Sequence, residues 1–235
     1  MRILLIGYGK MGKTIETIAL QRGHEIAGRI DAGDKLAAFA KPADVAIEFT
    51  QPEVAVSNLK ICFDKGIPVV CGTTGWGDYK QEVETYCNAK NGTLLYSSNF
   101  SLGVNIFFKL NEYLARIMNN HRQYEVSITE THHTQKKDAP SGTAITLAQG
   151  VIENFTAKKK WILGNAPSSE ALPIYSKRED PAPGTHVVRY QSAIDDLEIT
   201  HTAHSREGFA LGAVLVAEWL AQKKGVLTMD DFLKL

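Results

Sequence analysis

The densest run of chemistry-capable side chains in this 235-residue chain is Glu130-Thr131-His132-His133-Thr134-Gln135-Lys136-Lys137-Asp138-Ala139-Pro140-Ser141-Gly142-Thr143-Ala144. Two adjacent histidines and a nearby lysine bring proton donors and anion binders together. Histidine is the side chain whose unperturbed pKa lies nearest neutrality, which suits general acid–base work. Pro140-Ser141-Gly142-Thr143 marks a helix start, with hydroxyls and amides suited to a carboxylate. An exposed polar turn would have the same composition. Zinc ligation fits less well, because no cysteine or third ligand stands at motif spacing, and no metal is expected.

A second constellation opens the chain. Gly7-Tyr8-Gly9-Lys10-Met11-Gly12 is a G-x-G-x-x-G that follows the apolar run Ile3–Ile6. It precedes a helical stripe of Met11, Ile15, Ile18 and Ala19. The first glycine permits the tight turn, the second lets backbone approach a pyrophosphate, and the third allows close helix–strand packing. Asp31 lies at the end of the second expected strand, where an acidic residue binds adenine-ribose hydroxyls. Glycine-rich turns also join strands to helices without binding anything. Strand, helix and acidic residue together favour NADH and/or NADPH.

The elements that must position these residues alternate in the first hundred positions. Ile3–Ile6, His24–Ile30, Ala43–Phe49, Val69–Cys71 and Thr93–Tyr96 read as strands, and Lys10–Arg22, Glu53–Lys65 and Tyr79–Ala89 as helices. That rhythm predicts an α/β fold built on a doubly wound parallel sheet. Further on, Leu102–Met118 reads as a helix, Glu125–Thr131 as a strand, and the stretch from Ser141 to about Phe155 as a helix. Asn165–Gly184, with four of the chain's eight prolines, is expected to be a long loop. His186–Ser192 and Leu197–Ala203 read as antiparallel strands, and Phe209–Gln222 as an apolar helix able to return to the first domain.

Bulk properties exclude several classes. With 26 basic and 26 acidic residues, no global field draws the chain to nucleic acid or to an acidic membrane. Three scattered cysteines give neither a disulfide framework nor a zinc ribbon. No stretch approaches the ~20 apolar residues of a membrane span. The expectation is a soluble, cytoplasmic protein. Trp161 and Trp219 read as packing residues, His186, His201 and His204 as structural, and Lys158-Lys159-Lys160 as a solvated charge run.

The motif E-x-H-H-x-x-K-x-D-A-P-S-G-T-A resembles the signature of the 4-hydroxy-tetrahydrodipicolinate reductase (dihydrodipicolinate reductase) family. Gly72-Thr73-Thr74-Gly75, Ser98-Asn99-Phe100-Ser101, Leu197-Glu198-Ile199-Thr200-His201 and Ser205-Arg206-Glu207-Gly208-Phe209-Ala210-Leu211-Gly212-Ala213 extend the likeness along the chain. The resemblance implies a Rossmann domain of residues 1–100 plus 205–235 and a mixed α/β substrate-binding and oligomerisation domain of residues 101–204. It implies reduction of a cyclic imine dicarboxylate in lysine and diaminopimelate biosynthesis by a homotetramer. By the same likeness, His132 and Lys136 are the acid–base residues, and His133, Gly142 and Thr143 hold the substrate carboxylate. Gly72, Thr73 and Thr74, with Ser97, Ser98, Asn99 and Phe100, line the nicotinamide half of the cofactor site. The chain departs from the family pattern in a glycine loop one residue shorter, a short segment after Asp31, and Thr134-Gln135 where relatives carry basic residues.

Two other readings compete: a different small Rossmann reductase, such as an aspartate dehydrogenase-like protein, and a dinucleotide-sensing module. A sensor would need an added binding element, and no basic helix-turn-helix segment is evident. For the cofactor, Asp31 favours NADH over the more anionic NADPH. Arg29 and Lys35 lie close enough in sequence to offset a phosphate, so dual use with a modest NADH preference is expected.

Overall fold

A computed structural model describes residues 1–205 and 207–234. In chain order the elements are β1 (Arg2–Ile6), α1 (Lys10–Gln21), β2 (Glu25–Ile30), β3 (Val45–Glu48), α2 (Pro52–Asp64), β4 (Val69–Cys71), α3 (Lys80–Ala89) and β5 (Thr93–Tyr96). There follow α4 (Leu102–Met118), β6 (Glu125–His132), α5 (Gly142–Asn154), β7 (Lys160–Leu163), β8 (Ala171–Arg178), β9 (Gly184–Gln191) and β10 (Asp196–Ala203). The chain closes with α6 (Glu207–Leu220), β11 (Gly225–Leu227) and α7 (Met229–Leu233). Two compact units result, Met1–Leu102 with Glu207–Leu235 and Gly103–Arg206.

The first unit is the expected doubly wound sheet, all parallel in the order β11-β5-β4-β3-β1-β2. A parallel strand covered on both faces needs apolar side chains at both phases, which is why β1 reads as continuous Ile-Leu-Leu-Ile. Ile3 and Leu5 pack on Ile15 and Ala19 of α1 and on Ala210, Ala213, Val214 and Ala217 of α6. Leu4 and Ile6 pack on the other layer, with Ala55, Leu59 and Phe63 of α2 and Val83 of α3. The apolar C-terminal helix thus does return to the first unit, and Trp219 packs there against Phe232.

The second unit is a mixed sheet in the order β10-β9-β6-β8-β7. Its central strand β6 runs parallel to β8 and antiparallel to β9. Every second side chain faces α4 and α5: Val126 and Ile128, Leu172 and Ile174, Val188 and Tyr190 meet Phe107, Ala115, Leu147, Ala148 and Val151. Trp161 packs at the edge of the same core.

Two expectations are corrected here. The proline-rich segment 165–184 is not one loop, because Ala171–Arg178 forms β8 between β6 and β7. A strand tolerates proline where no N–H is required, and pairing of β8 with β6 begins at Ile174, one residue past Pro173. Nor is Lys158 part of a solvated run: it is only 3% exposed, and its ammonium donates to Glu125 and to the Ser169 carbonyl, each at 2.7 Å. Its long stem is covered while its charge is satisfied. Lys159 and Lys160 are exposed as expected.

Helix α6 lies so close to the chain at Phe100 that a Cβ on Gly212 would stand 1.7 Å from the Phe100 carbonyl oxygen. Gly212→Ala is therefore expected to destabilise the protein by about 3 kcal/mol through overpacking. Gly208→Ala, with only ordinary contact at 3.8 Å from Ser101, should be neutral or gain up to about 1 kcal/mol of helix propensity. Urea denaturation of the two variants checks this; equal midpoints would refute the close approach.

Candidate functional site

In the first unit, chain geometry dictates the glycine loop. Gly7 has φ +92°, and a Cβ there would stand 1.9 Å from the Phe49 carbonyl oxygen. A Cβ on Gly12 would stand 2.2 Å from the Gly7 carbonyl oxygen, so α1 can approach β1 only without a side chain. At Gly9, by contrast, a Cβ would meet nothing within 4 Å. Gly9 is also the N-cap of α1 and makes no side-chain cap, so the first-turn amides of Lys10, Met11 and Gly12 have no competing side-chain oxygen. An anion is favoured at such a terminus by the free N–H groups and the helix dipole.

A cleft of about 500 Å³ adjoins this loop, lined by Gly7, Tyr8 and Gly9, by Asp31 and Asp34, and by Thr50, Gln51 and Asn58 among others. Fully buried Glu48 ends β3 and accepts a hydrogen bond from the Thr50 hydroxyl, while the Thr50 amide donates to Thr73 Oγ1 at 2.7 Å. These bonds orient the turn that walls the cleft. Thr73 and Phe100, both nominated from the sequence, are buried inside this framework, Phe100 5.8 Å from the Phe49 ring. Thr74 and Ser98 are exposed, and the Ser97 hydroxyl donates to the Asn99 carbonyl at 2.7 Å. Asp34, Thr50, Gln51 and Asn58 were not nominated; the only local sequence signal of the first three is position just past a strand end, and Asn58 lies inside α2.

In the second unit the polar run folds around one carboxylate. Glu130 is 0% exposed because it occupies the inward phase of β6, after Val126 and Ile128. It accepts from the Ser141 amide at 3.2 and 3.1 Å and from the Ser176 hydroxyl at 2.6 Å. Arg178 lies 3.7 Å away, His132 Nδ1 3.5 Å and His186 Nε2 3.7 Å. The register pairs Glu130 directly with His186 across β6 and β9. Ser141 in turn caps α5, accepting from the Ala144 amide at 3.2 Å, and contacts His186 Nε2 at 3.2 Å.

Lys136 is held in the loop between β6 and α5, its ammonium 2.8 Å from both Asp138 carboxylate oxygens. Arg178 pins that loop by donating to the carbonyls of Lys136 at 3.3 Å and Asp138 at 2.7 Å. Gly142 opens α5 with free space where a Cβ would stand, and Thr143 follows it. His133 lines a separate small cavity with Asp180, Pro181, Ala182, Pro183 and Ser205. The structure therefore groups His132 with Glu130, His186 and Ser141, with the Lys136 loop tied to the same cluster through Arg178, and sets His133 to one side. Neither His186 nor Arg178 stands in the polar run. Their signal is a polar residue at the buried phase of a strand, His186 before Val188 and Tyr190, Arg178 after Leu172, Ile174 and Ser176.

The electrostatics follow from this packing. Burial alone would raise the Glu130 carboxyl, but contacts from His186, Ser141 and Ser176 outweigh it and hold the group well below the usual carboxylate range. Burial and the neighbouring His186 push His132 down to about 4, with Lys136 and Arg178 adding to the effect and Glu130 opposing it. His132 is thus neutral near pH 7, with the cations Lys136 and Arg178 close by. Such a cluster suits a polyanionic ligand whose charge would compensate them. Glu130, His132 and His186 place ligand atoms within 4.8 Å of one another, yet the carboxylate is committed to two donors and faced by Arg178, an arrangement unlike a cation site.

Comparison with known proteins now decides the lineage. The family model for the N-terminus of dihydrodipicolinate reductase matches residues 1–100, and that for its C-terminus matches residues 103–233. The chain belongs to the dihydrodipicolinate reductase family. A 4-hydroxy-tetrahydrodipicolinate reductase of Christiangramia forsetii is 50% identical over 99% of this chain and 98% of the relative. Another from Archaeoglobus fulgidus is 34% identical over the full length of both. In fold, the chain matches the dipicolinate-bound dihydrodipicolinate reductase of Paenisporosarcina sp. TG-14 with a TM-score of 0.79 and 20% identity, over 99% of each chain. Membership decides against the aspartate dehydrogenase-like and sensor alternatives. No helix among the described residues is long and apolar enough to cross a membrane.

A depressed imidazole makes stability pH-dependent. His132 binds its proton in the unfolded chain below about 6.5 but in the folded state only below about 4. Its contribution is complete above pH 6.5 and is lost as pH falls toward 4. Between pH 7.5 and 5 this one group should remove about 2 kcal/mol, and His132→Asn should flatten that part of the profile. Urea midpoints across the range test it; an unchanged slope in the variant would refute the assignment.

Proposed function

We propose that this chain reduces 4-hydroxy-tetrahydrodipicolinate to tetrahydrodipicolinate with NADH or NADPH, in lysine and diaminopimelate biosynthesis. The observation that carries the reading is the buried Glu130 cluster, which ties acid–base side chains to the open start of α5 in a chain matched to one reductase family at both ends.

The cofactor fits the first unit. Lys10, Met11 and Gly12 would give amides to the pyrophosphate, Gly9 would allow its approach, and Asp31 would accept from the adenine-ribose hydroxyls. Ser97, Ser98, Asn99 and the Gly72–Thr74 turn would serve the nicotinamide end, where the family likeness places them. When bound, the dinucleotide supplies a hydride to the conjugated imine left after the 4-hydroxyl departs as water.

Everything else falls to side chains and amides of the second unit. The first turn of α5, at Gly142 and Thr143, would hold one carboxylate, with hydroxyl and amides donating. Lys136 and His132 would carry the proton that balances the added hydride. A dianion close to Lys136 and Arg178 would cancel their charge, raise the His132 pKa from its depressed value and let the imidazole accept a proton. Arg178 holds the Lys136 loop in place, and Glu130 keeps His132 and the helix start in register. His133, lining a different cavity, would act on the substrate only from the rim. The same reading carries the expected cytoplasmic location and homotetrameric assembly.

Lys136→Ala should keep the fold and lower kcat about 100-fold, the usual loss for a general acid–base group. The assay is dinucleotide oxidation with the condensation product of pyruvate and aspartate semialdehyde. A kcat within twofold of the parent would remove Lys136 from the mechanism.

Binding of pyridine-2,6-dicarboxylate at pH 6 should take up a proton, because His132 is neutral in the free protein and charged beside the dianion. Calorimetry in two buffers of different ionisation enthalpy reads that proton number directly. Uptake should disappear in His132→Asn; equal uptake in both proteins would place the proton elsewhere.

A further inference from the structure

The cleft beside the glycine loop carries two carboxylates, Asp31 and Asp34, and no lysine or arginine among its lining residues. Asp34 belongs to a tight turn: its carboxylate accepts from the Asp31 amide at 2.9 Å, and its own amide donates to the Asp31 carbonyl at 3.0 Å. Two acidic groups are therefore held at the end of β2. Arg29, two residues before Asp31, is the neighbour with the reach and charge to offset a phosphate there. It is already engaged. Its Nη2 donates to the Glu16 carboxylate, its Nε donates to the same group at 3.0 Å, and its guanidinium lies over the Tyr8 ring, 5.6 Å from the centroid.

Glu16 is only 7% exposed although it lies on α1, and it also accepts from the Tyr8 hydroxyl. It is thus a buried carboxylate whose charge is met by Arg29. Swinging Arg29 toward a ligand would strip Glu16 of its cation and leave a desolvated charge behind, a strongly unfavourable change. Tyr8 is the second residue of the glycine loop, so the same bond fixes the loop wall of the cleft.

We propose that Glu16 is a cofactor-specificity residue: by sequestering Arg29 against Tyr8, it leaves the ribose end of the cleft to Asp31 and Asp34 and selects NADH over NADPH. This rests on the dinucleotide reading of the first unit and deepens it. The extra phosphate of NADPH brings negative charge to two carboxylates in a cleft that no lysine or arginine lines, which disfavours it. The preference is accordingly stronger than a free Arg29 would allow.

The test is titration of the intact protein with NADH and with NADPH at fixed ionic strength, following dinucleotide fluorescence. The parent should bind NADH at least about tenfold more tightly, the scale expected when a single charge-assisted contact is gained or lost. Glu16→Gln keeps a partner for Tyr8 but releases the Arg29 charge, and should tighten NADPH about tenfold while moving NADH less than about threefold. Adding Arg29→Leu to it should return NADPH to the parental Kd. An NADPH to NADH ratio within twofold of the parent in Glu16→Gln overturns the proposal. Arg29→Leu alone decides the matter if Glu16→Gln does not fold. The ratio should then stay within twofold of the parent; a tenfold loss of NADPH alone would show that Arg29 already serves the phosphate, which also overturns it. Failure of the parent to bind either dinucleotide would strike the function proposed above instead, a distinguishable result.

Discussion

A carboxylate with no exposed surface, Glu130, stands where β6, β8, β9 and the start of α5 meet, and the polar groups that converge on it keep it ionised. Burying an unpaired charge costs several kcal/mol. The cost here is offset by the Ser141 amide at the start of α5 and by the Ser176 hydroxyl and the cationic edge of Arg178, both supplied by β8. The dependence runs both ways. The Ser141 amide needs that acceptor to close the cap of α5, and Arg178, held near Glu130, in turn holds the carbonyls of the Lys136 loop. Replacing the carboxylate by an apolar group would free the loop, the cap and two imidazoles at once. One anion therefore fixes the geometry of groups whose chemistry is directed at another.

The first unit solves its positioning problem with backbone rather than side chains. Its strands are apolar at both phases, so the sheet sits between helix layers and its carboxyl ends are left for loops. At the end of β1 the chain must turn, let α1 close on β1, and leave amides uncovered. Gly7, Gly12 and Gly9 meet those three demands in different ways, two by steric necessity and one by open space. A single added methyl at either crowded position would strike a carbonyl oxygen. That is why so little of this site depends on side-chain chemistry.

Legibility in the sequence follows the range of the interaction involved. The parallel sheet was readable because its cues are local: apolar runs of strand length, glycine and proline stops, and helical stripes such as Ile15 and Ala19. β8 was hidden because Pro173 is a local strand-breaker, and only the register with β6, set far away in sequence, shows that their pairing begins one residue past it. Lys158 was misread for the same reason, since Glu125 and Ser169, which satisfy it, are 33 and 11 residues distant. Within the site, His132 and Lys136 announce themselves by type and crowding. Glu130 and Ser141 stand in the same run, but their bond joins a strand to a helix cap and has no local signature. His186 and Arg178 were legible only as polar residues out of phase with an apolar strand face, a signal that needs the strand to be recognised first.

The two units use the same device to opposite electrostatic ends. Glu16 and Glu130 are both buried carboxylates that face an arginine. Glu16 makes close hydrogen bonds to Arg29 and stands against one cation, so the pair is neutral and the cleft beside it keeps the negative sign of Asp31 and Asp34. Glu130 stands among several partners: Arg178 and two imidazoles surround it, and the nearby Lys136 is paired with Asp138. His132 stays deprotonated mainly because it is buried, with His186, Lys136 and Arg178 adding to the effect. What stands beside each buried glutamate therefore differs: a cleft lined by two further carboxylates in the first unit and a neutral, buried imidazole in the second. On the proposed reading, a ligand carrying two carboxylates would bring the second site the negative charge that lets His132 take up a proton. On the same reading, a phosphate beyond the pyrophosphate would add to the negative charge of Asp31 and Asp34 in the first. The difference comes from which groups surround each buried glutamate, which neither fold type nor net charge of the chain would reveal.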